Sequence, residues 1–272
     1  MIPNGLGVIY VLASATYLFL LHFFEDASKN VSPALTLAVC ILFGGFLGLL
    51  DDWMDLRWRY KAFFPLIAAI PLIALAIRLQ PPLRTSIAIP VLGTIQFGDY
   101  YYFIIIPLIV TITTNTINQL GGLNGLETIC PAIILIGLIG ISGSNATLMY
   151  IPLIIWLSLA FLNFQGKIFV GNTGSFAVGT TIAAFAIISD LKSDMLISLL
   201  PYVLNSSLIL LTYFFYRTKA QVSFDGKRLS SDHRRSLVTL ITYRRPVTER
   251  QAVIIISLLV ACLLYTSDAA DE

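Results

Sequence analysis

Long apolar runs and short polar breaks alternate along the whole chain. The runs fall near 5–24, 34–50, 62–79, 101–114, 128–142, 147–163, 174–189, 195–216 and 251–265. A helix needs about 20 residues to cross about 30 Å of hydrocarbon. Most of these runs reach that length once their flanks are counted. The pattern predicts an all-α polytopic membrane protein with about nine transmembrane helices visible. No period of 20–50 residues recurs, which argues against a solenoid.

Composition supports that class. Apolar residues make up 57% of the chain and charged residues only 12%, with a mean hydropathy of +0.85. A soluble domain carries about 25% charged residues. The net charge of +2 is uninformative, but the placement of charge is not. With the 51–61 break placed in the cytoplasm, the inside breaks hold Arg57, Arg59, Lys61, Lys167, Arg217, Lys219, Lys227, Arg228, Arg234, Arg235, Arg244, Arg245 and Arg250. The outside breaks hold Lys29, Arg78, Arg84 and Lys192. Thirteen cations against four follow the positive-inside rule and set the expected orientation. Cys40, Cys130 and Cys262 are far apart in apolar runs, so neither a disulfide framework nor a metal-binding pair is expected, and all three read as buried thiols. No basic region marks a cleavable leader at the N-terminus. The loop-like opening Met1-Ile2-Pro3-Asn4-Gly5 and the acidic tail 266–272 suggest one catalytic domain over 1–265 that lacks a first helix, followed by a tail foreign to the fold. The competing reading is a short tilted last helix with its own acidic tail.

Every unusual polar break falls on the inside. The outside breaks are short or Pro-rich and hold no comparable cluster. The first inside break runs from Asp51 to Lys61. Asp55 lies at i+4 from Asp51 and i+3 from Asp52, so the three carboxylates can share a helix face. Carboxylates at a helix C-terminus oppose its dipole, and like charges raise one another's pKa. Mg²⁺, which takes one or two carboxylates plus substrate phosphates, would stabilise them. The alternative is a solvated helix end whose carboxylates are neutralised by Arg57, Arg59 and Lys61. Arg57 and Arg59 read as orienting charges, whereas Lys61, at the mouth of the next helix, suits a phosphate.

The second break, Thr113 to Glu127, sets Asn115 and Asn118 at helical spacing before the turn Gly121-Gly122-Leu123-Asn124-Gly125. Glycine permits close backbone approach to a ligand, and the next helix N-terminus suits an anion or a uracil carbonyl. The third break, Asn163 to Ser175, contains Phe169-Val170-Gly171-Asn172-Thr173-Gly174-Ser175. Here Asn172 or Thr173 serves equally as an N-cap or as a ligand-binding residue. The fourth, 217–250, holds nine Lys or Arg. Such loops bind anionic lipid heads, but His233, between Asp232 and Arg234-Arg235, also suits a diphosphate.

These stretches together resemble the polyprenyl-phosphate N-acetylhexosamine-1-phosphate transferases, from Ile2 to about Val260. DDWMDLRWRYK (51–61) and TNTINQLGGLNGLE (114–127) look like the branch that makes GlcNAc-diphosphate-dolichol in eukaryotes and archaea. Bacterial branches carry Asp where this chain has Gly121 and Asn124, and the compact basic loop resembles an archaeal type. The resemblance implies a ten-helix membrane fold with a cytoplasmic groove, UDP-GlcNAc arriving from the cytoplasm and the lipid phosphate from the bilayer. It implies Mg²⁺, with Mn²⁺ as a substitute, on Asn118 and Asn172, although the family has Asp where Asn172 stands. Asp51 and Asp52 would then carry more of the charge and, with Lys61 near the lipid phosphate, form the catalytic set. Gly122, Asn124 and Phe169 match positions around the uracil. His233 and Arg234 match part of an Arg-His-Arg element that holds sugar and diphosphate. Asp232 replaces its first Arg, which leaves the diphosphate contact open between Arg234 and Arg235.

The implied reaction is attack of a polyprenyl or dolichyl phosphate on the β-phosphorus of UDP-GlcNAc, with UMP leaving. Expected partners are those substrates and membrane lipids, not nucleic acid, with a homodimer as an option. The expected place is the plasma membrane in a prokaryote or the endoplasmic reticulum in a eukaryote, with the site facing the cytoplasm. The competing class is a transporter or channel, since ionisable groups in membranes also mark ion paths. A transporter would set them at the midplane on broken helices, not at one surface.

Overall fold

All nine apolar runs fall on helical segments. The computed structural model describes residues 2–24, 32–78, 83–89, 93–217 and 221–268. Met1, Lys29, Lys219 and the last four residues of the acidic tail lie outside them. The helices are α1 (Gly7–His22), α2 (Pro33–Met54), α3 (Trp58–Arg78), α4 (Tyr101–Gln119), α5 (Leu126–Ile141), α6 (Gly143–Phe164) and α7 (Gly171–Ile188), followed by the pair α8 (Lys192–Ser198) and α9 (Leu200–Phe215), the short α10 (Leu237–Thr242) and α11 (Glu249–Asp268). Six of them are long and apolar enough to cross a bilayer, or seven if α8 and α9, bent by 53°, count as one span. The helices α1 and α5 are apolar but shorter. The protein is an all-α polytopic membrane protein.

Proline sets several irregularities. It lacks an N–H and clashes with the preceding turn. Pro65 and Pro71 sit where α3 breaks into three pieces, and Pro201 opens α9 just after the bend.

The centre of the bundle is α7, 89% buried. Eleven of its eighteen residues are Gly, Ala, Thr or Ser, so neighbouring helices approach its backbone closely. A Cβ on Gly48 of α2 would lie 2.2 Å from the Asn172 carbonyl oxygen, and one on Gly7 of α1 would lie 2.3 Å from the Gly174 Cα. Helices α1 and α2 thus meet the first turn of α7 only because glycine stands at those contacts. The 2–7 segment also follows the 169–170 backbone: the Phe169 N–H donates to Pro3, and the Leu6 and Gly7 N–H groups donate to Phe169 and Val170.

The far end of α7 corrects one expectation. Eighteen residues of helix cover about 27 Å, and beyond that rise Lys192 is buried (3% exposed) in a cluster of its own. Its ammonium donates to the Arg84 carbonyl at 2.6 Å, pairs with Asp190 and lies 5.0 Å from the Tyr101 ring centre. The hairpin of β1 (Ser86–Ile89) and β2 (Gly93–Gln96), in register from Ser86↔Gln96 to Ile89↔Gly93, docks beside it through an Ala88 N–H bond to Ser193 Oγ at 3.1 Å. Two outside breaks, expected to hold no comparable cluster, therefore share a charge cluster, and one of them holds a small sheet. The thiols also divide. Cys40 and Cys130 are buried, but Cys262 is exposed because α11 packs on the bundle by one side only.

Candidate active site

The two adjacent aspartates serve different neighbours. Asp51 is buried, and its Oδ1 accepts the Leu56 N–H at 3.0 Å and pairs with the Lys61 ammonium at 2.8 Å. The reason is local: Asp55 ends α2 in the left-handed region (φ 44°), which folds Leu56 and Lys61 back over Asp51. Asp55 itself is exposed and lies 3.7 Å from Lys61. Arg59, expected as one of the neutralising cations, instead stands 5.8 Å from the Trp58 ring. The three carboxylates do not form one face.

Asp52 reaches α7. Its Oδ1 accepts the Asn172 N–H at 2.9 Å, and its Oδ2 accepts the Thr173 N–H at 2.9 Å and the Thr173 hydroxyl at 2.7 Å. The first N–H groups of a helix lack intrahelical partners, and the chain's own N-cap, Val170, has no capping side chain. A carboxylate from 120 residues upstream does that work, and the helix dipole favours its charge. Neither Asn172 nor Thr173 is the N-cap.

Asn118 meets the same turn: its Oδ1 accepts the Ser175 hydroxyl at 2.6 Å. Asn115 turns away, donating to Thr111 on its own helix at 2.9 Å. Behind this stands Asn163, fully buried and fully bonded. Its Oδ1 accepts the Gly125 N–H at 2.8 Å and the Thr128 hydroxyl at 3.1 Å, and its Nδ2 donates to the Ile168 carbonyl at 2.8 Å and to Glu127 at 3.4 Å. Asn163 therefore ties the Gly-rich turn to the 165–170 turn. It also satisfies the N–H entering α5, which is not left free for an anion. Gly125 takes φ 93°, as the tight entry to α5 requires. A Cβ on Gly122 would meet nothing within 4 Å, and Phe169 is exposed.

The basic loop is only partly drawn in. Its β3 (Ser223–Phe224) and β4 (Leu229–Ser230) form a hairpin whose turn is closed by Asp225. The N–H groups of Arg228 and Lys227 hold the Asp225 carboxyl below the usual carboxylate range. His233 contacts Ser231 and stands 4.0 Å from Asp232, while Arg234 lies 4.2 Å from the Tyr243 ring. Both contacts stay within the loop and do not reach Asp52 or Asn118. The Arg235 N–H donates to the Thr239 hydroxyl at 2.9 Å. Two ties do reach the site. Asn205 accepts from Leu237 N–H at 2.9 Å and donates to the Gln119 carbonyl at 3.4 Å. Glu249 accepts from Asn124 N–H at 2.7 Å and from Asn124 Nδ2 at 3.0 Å. Asn163, Glu127 and Glu249 escaped sequence reasoning. The available signal was a lone amide or acid at the edge of an apolar run.

Residues 34–190, which contain all of these contacts except those of α9, the basic loop and α11, match the model of glycosyl transferase family 4. The chain belongs to that family. It is 34% identical over 261 residues to a Saccharolobus solfataricus protein that carries the provisional name UDP-N-acetylglucosamine–dolichyl-phosphate N-acetylglucosaminephosphotransferase, covering 93% of this chain and 78% of that one. A Dictyostelium discoideum protein named for the same activity is 27% identical over 244 residues, 75% of this chain and 59% of that one. A phospho-N-acetylmuramoyl-pentapeptide-transferase of Bacillus cytotoxicus is 30% identical over 236 residues, 80% and 70% of the two chains. In this family 4 chain, Asp52, Asn118 and the Asn163 network join three distant polar breaks at one end of the bundle. Lys61 stands beside them on Asp51.

Proposed function

We propose that this protein transfers GlcNAc-1-phosphate from UDP-GlcNAc to a membrane polyprenyl phosphate of dolichyl type, releasing UMP, at the cytoplasmic face. The observation that carries this is the meeting of Asp52 and Asn118 on the first turn of α7. It makes one oxygen-rich site from two separate polar breaks in a family 4 chain. That face is the plasma membrane's in a prokaryote and the endoplasmic reticulum's in a eukaryote.

Phosphoryl transfer depends on positioning and charge neutralisation more than on covalent help. Lys61, held by Asp51, positions the lipid phosphate. A phosphomonoester is largely dianionic near pH 7, so its oxygen attacks the β-phosphorus in line without a strong base. The new O–P bond forms as the bond from the β-phosphorus to the bridging oxygen breaks, and UMP leaves with that oxygen. Both oxygens of Asp52 already accept bonds from α7, and Asp51 is buried against Lys61, which favours direct attack over a phospho-aspartate route. Gly122, Asn124 and Phe169 receive the uracil. His233, with Arg234 or Arg235, contacts the sugar and diphosphate.

The amide oxygens of Asn118 and Asn172, with the Asp52 carboxylate, would supply an oxygen-only donor set, which suits a hard cation. Among the described residues no three His, Cys, Asp or Glu gather as a metal cage. That fits Mg²⁺, or Mn²⁺ in its place, because Mg²⁺ takes few protein ligands and completes its shell with phosphate and water. Such an ion, when bound, would neutralise charge on the diphosphate and the leaving UMP.

The test is UMP release from UDP-GlcNAc by membranes containing this protein, with polyprenyl phosphate, with and without Mg²⁺. Release that needs both the lipid and the metal is expected. No release under any of these conditions would sink the reading.

A further inference from the structure

Glu249 is the second residue that α11 and the loop before it bring to the Gly-rich turn's neighbourhood, after Arg250, whose guanidinium lies 5.7 Å from the Phe164 ring. An acid in the first turn of a helix commonly serves that helix's own N-terminus. Here the N-terminus is already served. Thr248 Oγ1 accepts the Gln251 N–H at 3.2 Å, and Gln251 Oε1 accepts the Thr248 N–H at 2.9 Å, a reciprocal capping pair. The Glu249 carboxylate goes instead to Asn124, 125 residues upstream, and one oxygen takes both its backbone N–H and its side-chain Nδ2.

A carboxylate can only accept hydrogen bonds. Contact with Glu249 therefore settles which way round the Asn124 amide sits: NH₂ toward Glu249, carbonyl oxygen away. That oxygen is shielded from solvent and has no hydrogen-bond partner among the described residues. Buried polar atoms nearly always have a partner, so an exception calls for an explanation. Asn163, a few ångströms along the same network, has every polar atom satisfied. Gly166 borders the Asn124 amide. A Cβ there would lie 3.8 Å from Asn124 Cγ and Oδ1, so glycine keeps that flank free of a side chain.

We propose that Glu249 is a specificity-determining positioning residue that locks Asn124 as a hydrogen-bond acceptor and so selects uracil over cytosine. This rests on the uridine nucleotide reading above. Uracil in a nucleotide carries one N–H on its base, N3–H, which matches a locked acceptor. Cytosine in the same pose presents the N3 lone pair to that oxygen, and the locked amide cannot turn its NH₂ to meet it. Without Glu249 the amide is free to rotate and to serve either base.

The experiment measures UMP and CMP affinity on the full chain, purified in detergent with Mg²⁺. The wild-type protein is expected to bind UMP at least about tenfold tighter than CMP, since a polar site rejects a mismatched hydrogen-bonding partner strongly. Glu249→Ala is expected to shrink that ratio to about threefold or less, mainly by improving CMP. Glu249→Gln keeps a carbonyl that can accept the same two bonds and is expected to retain the wild-type ratio. Glu249→Met, of similar length but with no strong acceptor, is read in place of the alanine variant if the latter does not fold. A UMP-to-CMP ratio unchanged in the acceptor-free variant, with UMP still bound, overturns the lock alone. A wild-type protein that binds neither UMP nor UDP-GlcNAc overturns the transferase reading and the lock with it.

Discussion

At the scale of single residues, neighbours in sequence part company in space. Asp51 anchors the corner that carries Lys61, and Asp52 caps a helix 120 residues later. Asp52→Asn keeps one accepting oxygen but loses the charge that the α7 N-terminus favours. Its stability is expected to fall by about 1–2 kcal/mol, and UMP release by about 10²-fold or more, checked by thermal unfolding in detergent beside the release assay. Asn172→Asp sets a second carboxylate next to Asp52. The variant is expected to be less stable without Mg²⁺ and to need less Mg²⁺ for half-maximal release than the wild type, which a metal titration of both properties would show. Asp51, Asp52, Asn118 and Asn172 were legible as candidates because charge and amides at the edge of apolar runs need a reason. Which oxygen meets which donor was not legible, because that depends on the left-handed turn at Asp55 and on the packing of α2 against α7.

At the scale of elements, the existence of the helices followed directly from the apolar runs, but their ranking did not. The most buried span, α7, has a mean hydropathy of 1.3, while α11 scores 1.6 and is only 28% buried. A helix enclosed by protein needs small side chains more than greasy ones, so glycine and threonine mark the centre and lower the apolar signal there. The contact at Gly48 makes this testable. Gly48→Val would drive side-chain atoms into the Asn172 carbonyl, 2.2 Å from where a Cβ would sit. It is expected to destabilise by about 3 kcal/mol or more and to abolish UMP release, read from the yield of monodisperse protein in detergent. Gly122→Ala at φ 90° has open space around it and is expected to cost only about 1 kcal/mol, as backbone strain, with the protein still folding. The β1–β2 hairpin was not legible at all, because its Pro-rich flanks read as loop and its docking depends on Ser193 and Lys192.

At the scale of the whole molecule, the bundle is fastened by charge at both ends of its central helix. The Lys192 cluster sits about 27 Å from Asp52, the rise of α7, and makes no contact with the proposed site. Lys192→Met is expected to lower stability by about 1.5–3 kcal/mol through lost charge-assisted hydrogen bonds, while kcat at saturating substrate stays within about twofold at temperatures where the variant is folded. A matching fall in kcat would show that the two ends are coupled. The trans-cap on α7 also has a consequence in time. The ribosome delivers Asp52 long before the N–H groups it serves, and 120 residues at 5–20 residues per second is roughly 6–24 s. Through that interval the carboxylate must wait hydrated at the membrane surface while the intervening helices insert. Assembly of the site is thus a late event of synthesis, and a nascent chain halted before Asn172 carries the first acidic motif without a site to put it in.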